Sequence, residues 1–278
     1  MNAWFTEDQG PGLRISCQVT RVLHWCKTKY QEVAVYETPS FGRLLALDDV
    51  IQTTERDEFV YHEMLVHVPM FVHGMARRVL IIGGGDGGCV REVLKHPWVE
   101  LVKLVEIDEE VTKAARQFLP GIAGSLADPR VQIEFRDGIQ YVKETSEKFD
   151  VVLVDSTDPT GPAVGLFGAD FYRAVSNVLN DGGVLTAQTE SPFYNLELIA
   201  NVQRTLREIF PEVALYLATV PTYPGGLWSF SIATKGPALP GEPLIPISFR
   251  CKYYNAAVHQ GAFALPEFVR ESVWGSWS

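Results

Sequence analysis

The sequence predicts an α/β protein: a mostly parallel sheet covered by helices on both faces, preceded by a small antiparallel β unit. Three observations predict it. Residues 1 to about 55 form short strand-like runs broken by turn chemistry. From Asp57 the apolar period lengthens to a helical one. Beyond residue 78, apolar strands alternate with amphipathic helices, the pattern of a parallel sheet buried on both faces.

In the first region, Gln18–Cys26 carries β-branched and aromatic residues, and Glu32–Glu37 alternates cleanly. Thr38-Pro-Ser-Phe-Gly42 supplies a turn before a third strand at Arg43–Leu47. Together these predict one small antiparallel sheet that needs packing partners to be stable. Phe59, Met64, Leu65, Val68 and Met70 then mark a helix over Asp57–Val72. Arg78-Val-Leu-Ile-Ile-Gly83 runs straight into glycines, and Cys89–His96 continues as a helix. The alternation proceeds through strand Leu101–Ile107, helix Asp108–Phe118, strand Val131–Phe135, helix Gly138–Thr145 and strand Asp150–Asp155. Helix Ala169–Leu179, strand Gly183–Thr189 and helix Leu196–Ile209 complete it. Val213–Val220 and Trp228–Thr234 then follow each other with only a Pro/Gly-rich link between them. An antiparallel hairpin closing a parallel sheet fits a class I methyltransferase-like Rossmann fold of seven strands. It does not fit the six-strand dinucleotide fold, whose second half repeats strand–helix units. The expected division is residues 1–55 as a β domain and 56–278 as the catalytic domain, with a Pro-rich connector at 236–246 leading to a C-terminal tail.

Composition narrows the function. Of 278 residues, 46% are hydrophobic, enough for a sizeable core. The formal charge of −10 disfavours phosphate backbones, so nucleic acid is not an expected partner. Cys17, Cys26, Cys89 and Cys251 form no CxxC pair, and neither a zinc ribbon nor a disulfide framework is expected. No apolar run reaches the roughly 18 residues of a membrane span, and no secretory signal opens the chain. A cytoplasmic protein is expected.

Gly83, Gly85 and Gly88 fit G-x-G-x-x-G between a strand and a helix, and Glu106 ends the next strand. Together they predict a nucleoside site, the carboxylate facing the ribose hydroxyls. Asp137-Gly138 ends the third strand, where an adenine amino group finds an acceptor; Asp137 is also a good helix cap. Asp86 would repel a pyrophosphate, so it argues for a ligand that is cationic near the glycine loop; it too has a capping role open to it. Asp155-Ser156-Thr157-Asp158-Pro159 follows the fourth strand. Five acids, Asp86, Glu106, Asp137, Asp155 and Asp158, thus gather at strand ends on one rim, although Asp-Pro turn chemistry accounts for part of the last pair. Compensation by metal lacks a partner motif, since His62 and His67 are five apart and not H-E-x-x-H. A polycationic organic substrate is the remaining candidate.

These residues resemble the spermidine synthase family, the polyamine aminopropyltransferases, over nearly the whole chain. The resemblance rests on Lys29-Tyr-Gln31, Leu47–Glu58, Tyr61-His-Glu-Met64, Val79–Gly88, Glu106-Ile-Asp108, Asp155–Pro159, Pro221–Gly225, Lys252-Tyr-Tyr-Asn255 and Leu265-Pro-Glu-Phe268. It implies aminopropyl transfer from decarboxylated S-adenosylmethionine to putrescine, giving spermidine and 5′-methylthioadenosine without a metal or a permanently bound cofactor. By motif match, Gln31, Gly83, Gly85, Glu106, Asp137, Gly138 and Pro162 would meet the nucleoside co-substrate. His62, Asp86, Ser156, Thr157, Asp158 and Tyr223 would line the diamine and aminopropyl region. Asp155 would accept the amine proton and Tyr61 would place the amine. Other family members carry Gln at the position of His62. The resemblance also implies a homodimer or homotetramer.

The chemistry is consistent with these residue types. A methylene on a sulfonium is already activated, so the enzyme must align an amine and remove its proton. Alkylamines have a reference pKa near ~10.4, which calls for a carboxylate base. Asp86 would also repel the carboxylate of ordinary S-adenosylmethionine. The loop Thr157–Gly168 is expected to close over the substrates. Tail aromatics Tyr253, Tyr254, Phe263, Trp274 and Trp277 are expected in packing or interfaces. Two rival readings are an S-adenosylmethionine-dependent amine methyltransferase and a non-catalytic polyamine-binding protein. Agmatine and cadaverine are alternative acceptors.

Overall fold

The computed structural model describes residues 3–159, 161–236, 239 and 241–275. Trp277 lies outside them, as does the side chain of Pro162. The N-terminal region holds two sheets where one was expected. Strands β1 (Ala3–Gly10) and β2 (Leu13–Val19) form an antiparallel hairpin. Strands β3 (Arg21–Lys27), β4 (Glu32–Thr38), β5 (Gly42–Leu47) and β6 (Val50–Thr54) form a four-stranded antiparallel sheet. The run Gln18–Cys26, expected as one strand, breaks at Thr20. There the backbone N–H and the hydroxyl both donate to the Glu37 carbonyl, at 2.9 and 3.1 Å, and the chain passes from one sheet to the other. Strand β6 was not expected because its turn carries no glycine. Asp48 and Asp49 instead take φ of 47° and 61° between the paired Leu47 and Val50. A two-residue hairpin turn needs positive φ at both positions, and aspartate tolerates it better than most residues. Phe5, Cys17 and Val19 of the hairpin share a small core with Leu44, Ala46 and Ile51.

Helix α1 (Glu58–His73) is buried at fourteen of its sixteen positions, so it is a central helix rather than an amphipathic surface one. It packs against α2 (Gly88–Val93) and the strands of the main sheet. That sheet has the order β12-β13-β11-β10-β7-β8-β9. Its strands are β7 (Arg78–Gly83), β8 (Leu101–Glu106), β9 (Val131–Phe135), β10 (Phe149–Asp155), β11 (Leu179–Gln188), β12 (Glu212–Thr219) and β13 (Leu227–Thr234). Only β13 runs antiparallel to its neighbours, inserted between β11 and β12. The expected terminal hairpin is therefore present, with its second strand placed inside the sheet. Strand β11 starts four residues early, because Leu179 pairs with Phe149 before a register shift to Val151↔Val184.

Pleat geometry builds the two cores. Val79 and Ile81 of β7 face α1, whereas Leu80 and Ile82 face the opposite layer. All four are almost fully buried, each worth roughly 1.5–3 kcal/mol. The first layer also takes in α3 (Glu109–Phe118) and α4 (Pro120–Ala123), together with Val33, Val35, Leu45 and Leu47 of the four-stranded sheet. The second layer is α5 (Gly138–Glu144), α6 (Ala169–Val178) and α7 (Leu196–Arg207). The tail carries α8 (Ala256–Ala262) and α9 (Glu267–Trp274). It is anchored by buried Glu63 of α1, which accepts the backbone N–H groups of Lys252, Tyr253 and Tyr254 at 2.8 Å each. Tyr254 is buried, as expected of a packing residue, whereas Trp274 is half-exposed.

Candidate active site

The carboxyl ends of β7, β8, β9 and β10 open into a cavity of about 360 Å³, roofed by the four-stranded sheet and by a 3-10 helix at Gly161–Phe167. Its lining includes Gln31, Tyr61, His62, Gly83, Gly85, Asp86, Glu106, Asp137, Gly138, Asp155, Ser156, Thr157 and Tyr223. The structure thus brings together most of the residues expected from sequence.

At one end the walls suit a nucleoside. Both Glu106 oxygens accept backbone N–H groups, from Gly85 at 3.1 Å and Asp108 at 2.8 Å. Burial nevertheless pushes the carboxyl up to about 7, outweighing those bonds. Asp137 caps α5 through the N–H of Ile139 at 2.7 Å and also lines the cavity, so its two readings coexist. The Gln31 amide is fixed by donation to Asp108 at 3.2 Å. Ile82, Val105, Ile107, Ile139, Ala163 and Leu166 give apolar surfaces on which a flat ring can lie.

At the other end stands Asp155. Gly83, at φ 79°, lets β7 turn away directly beside it; a Cβ there would lie 2.1 Å from the Asp155 carbonyl oxygen. Tyr61 donates its hydroxyl to Asp155 Oδ1 at 2.7 Å, and the Cys89 thiol donates to Oδ2 at 3.1 Å. Burial pushes the Asp155 carboxyl up, opposed by the nearby His62 charge and by these two hydrogen bonds. Asp86 Oδ1 accepts the Gly88 N–H at 2.8 Å, and its Oδ2 stands 3.4 Å from His62 Nε2. A Cβ on Gly88 would lie 2.2 Å from the imidazole. The last glycine of the motif therefore makes room for a side chain of α1.

Asp158 does not line the cavity with the other four acids. It sits behind them, sharing a hydrogen bond with Glu190. Glu190, at φ 71°, also receives amide groups from Gln188 at 3.3 Å and Asn195 at 3.2 Å. Burial, reinforced by Asp158, pushes its carboxyl up to about 8. Buried Glu7 of β1 stands near this pair and is raised to about 7, chiefly by burial. Sequence reasoning missed Glu7, Glu58, Cys89, Arg91 and Glu190. Glu58 left a signal, four residues before His62 on a helix. Glu7 left none, being more than 150 residues away from Asp158 and Glu190.

The link between β12 and β13 is held at the site rather than left loose. Asp57 accepts the backbone N–H and hydroxyl of Thr222 at 3.1 and 2.8 Å, and Tyr223 donates to the Gln52 carbonyl at 2.6 Å. Among the described residues, two mixed donor sets have ligand atoms within 4.8 Å of one another, His24/Cys26/Glu110 and His62/Cys89/Asp155. Such sets suit zinc-class ions, but in the second the donors already serve Glu58, Asp86 and Tyr61.

The seven-stranded sheet with its antiparallel insertion, and the acid-lined cavity at its carboxyl edge, define a transferase built on the methyltransferase-type fold. Residues 58–241 match the model of the spermine/spermidine synthase domain, and residues 3–55 match that of the spermidine synthase tetramerisation domain. A polyamine aminopropyltransferase of Moorella thermoacetica is 54% identical, the match covering 96% of this chain and 95% of that protein. One of Bacillus subtilis is 45% identical over 97% and 98%. The crystal structure of spermidine synthase from Thermotoga maritima superposes with a TM-score of 0.92 at 40% identity, covering 98% of this chain and 94% of that one. A spermidine synthase in complex with the transition-state analogue AdoDATO gives 0.93 at the same identity and coverage. The chain belongs to the spermine/spermidine synthase family of polyamine aminopropyltransferases.

Proposed function

We propose that this enzyme is a spermidine synthase that transfers the aminopropyl group of decarboxylated S-adenosylmethionine to putrescine. The observation that carries the reading is Asp155. It is a part-buried carboxylate at the end of β10, beside Tyr61, on the border between the nucleoside walls and the acid-rich end. Adenosine would lie against Ile82 and Ile139, with Asp137 and Gly138 at the adenine edge and Pro162 above it. Glu106 would accept the ribose hydroxyls, with Gln31 beside them, and Gly83 and Gly85 would let the sulfonium approach the sheet end. Asp86 and His62 would meet the aminopropyl ammonium. The amine nitrogen attacks the methylene on sulfur, and the C–S bond breaks with its electrons going to sulfur. The nitrogen's proton passes to Asp155. Tyr61 and Tyr223 would flank the attacking amine, with Ser156 and Thr157 along the path. Asp158, with Glu190, would receive the far ammonium of the diamine. A like-charge contact at Asp86 would cost the carboxylate of S-adenosylmethionine several kcal/mol, which favours the decarboxylated donor. Sulfonium activation makes a metal unnecessary for this step.

Closure of Thr157–Gly168, a division into residues 1–55 and 56–278, assembly as a homodimer or homotetramer, and a cytoplasmic location belong to the same proposal. The two separate N-terminal sheets and the tetramerisation-domain match support the division and the assembly. Among the described residues no helix is long and apolar enough to cross a membrane. The deciding experiment supplies purified enzyme with either sulfonium donor and with putrescine, agmatine or cadaverine, and identifies products by mass. Spermidine with 5′-methylthioadenosine is expected from the decarboxylated donor. Methylated amine would show the methyltransferase reading, binding without turnover the non-catalytic one, and preference for another diamine would overturn putrescine as acceptor.

A further inference from the structure

The acid end of the cavity contains a cation of its own. His62 is 2% exposed, and its ring is clamped between two carboxylates. Nδ1 meets Glu58 Oε2 at 2.7 Å, and Nε2 faces Asp86 Oδ2 at 3.4 Å. Glu58 is fixed in turn by Arg91, whose two terminal nitrogens reach its two oxygens at 3.0 and 2.7 Å. Such a bidentate pair sets orientation as well as charge. Arg91 is itself steadied by Glu92 at 2.8 Å. The result is a row of alternating charges, Arg91, Glu58, His62 and Asp86, that starts at a partly exposed guanidinium and ends on the cavity wall.

Every neighbour of His62 bears on its charge. From α1 come Glu58 and the Tyr61 ring, edge-on at 5.4 Å. From the glycine loop comes Asp86, from α2 Cys89 and Arg91, and from the end of β10 Asp155. Burial would strip the imidazole of its proton, but Asp86 and Glu58 outweigh it and hold the group well above the usual histidine range. Glu58 is held down at about 2, burial being overcome by His62 and Arg91. A neutral amide at position 62 would bring no charge to either carboxylate.

We propose that His62 is the resident counter-ion of Asp86, that Glu58 and Arg91 are the positioning residues that hold it there, and that the donor's ammonium displaces the His62 proton to solvent on binding. This deepens the reading of Asp86 as the aminopropyl acceptor and rests on it. Two cations against one carboxylate in a buried pocket repel, and the mobile charge is the proton. The donor enters without adding net charge to the cavity at that point.

The test counts protons released on binding, by calorimetry in buffers of different ionisation heat near neutral pH without acceptor. Decarboxylated S-adenosylmethionine is compared with 5′-methylthioadenosine, which has the nucleoside but no ammonium. Protons released by Glu106 appear with both and cancel. Wild type is expected to release about one proton more with the sulfonium donor, so that donor affinity relative to the thioether rises up to about tenfold per pH unit. In His62→Gln the excess should disappear, apart from any share from Asp155, which is common to both proteins. In Glu58→Gln it should fall by half or more while 5′-methylthioadenosine still binds. Equal release by wild type and His62→Gln overturns the proposal, and so does an excess left intact in Glu58→Gln. Failure of the sulfonium donor to bind while 5′-methylthioadenosine binds would instead overturn the function proposed above.

Discussion

Two groups of buried acids, one on the cavity wall and one outside its lining, are built on opposite plans. Asp86 and Glu58 share an imidazole, and an arginine completes the row. Asp158, Glu190 and Glu7 have among the described residues amides, backbone N–H groups and each other. Burial acts on both groups alike, so the different outcome comes from the cation. Glu58 falls to about 2, while Glu190 rises to about 8 and Glu7 to about 7. One group carries its compensating charge with it. The other has no such cation among the described residues, and its carboxyls are pushed up instead.

The largest expected effect comes from removing Asp155, the carboxylate proposed as base. Asp155→Asn should fold with an unchanged circular dichroism spectrum and lose about 10²–10⁴-fold in kcat; wild-type turnover would remove Asp155 from the proton path. Next, Gly88→Ala should push the imidazole off Asp86 and make the compensated group resemble the other. Forcing a methyl into that packed space should cost about 1–3 kcal/mol of stability and at least tenfold in kcat/KM, measured by thermal melts and initial rates. A Gly88→Ala enzyme with unchanged kinetics would mean that His62 placement is unimportant. The smallest effect distinguishes the groups by pH. Glu190 and Glu7 bind protons more tightly folded than unfolded, where a glutamate titrates near ~4.3. Their contribution is complete below that value and is lost as pH rises through 7 to 8. Glu58 has the opposite sign, its contribution being lost as pH falls from about 4 towards 2. The ligand-free melting temperature should therefore drop between about pH 5 and 8, less steeply in Glu190→Gln, and putrescine should restore it best at the alkaline end. Parallel wild-type and mutant curves would refute this assignment.

Much of the main sheet was legible because central strands such as β7 and β10 are apolar on both faces, and α3, α6 and α7 on one. Glu106, Asp137 and Asp155 were legible because strand ends on one edge of a parallel sheet must share a rim. The compensating groups were not. Glu190 follows its strand with a left-handed φ that turns its side chain towards Asp158, and no residue pattern announces that turn. Glu7 alternates in β1 like any strand residue and becomes buried only because the hairpin packs across β6. The extra strand β6 escaped notice because two aspartates do the work usually given to Asn-Gly.

Glu63 adds a constraint on how the chain can be made. It follows His62 directly on α1, yet its carboxylate is satisfied by backbone amides 189 to 191 residues later. The helix that bears Tyr61 and His62 thus depends, for one of its buried carboxylates, on a segment far along the chain. A chain stopped before Lys252 would hold every residue assigned to chemistry and lack the clasp that seats them. The helix that bears Tyr61 and His62 is therefore held in place by a segment beyond the last strand of the sheet.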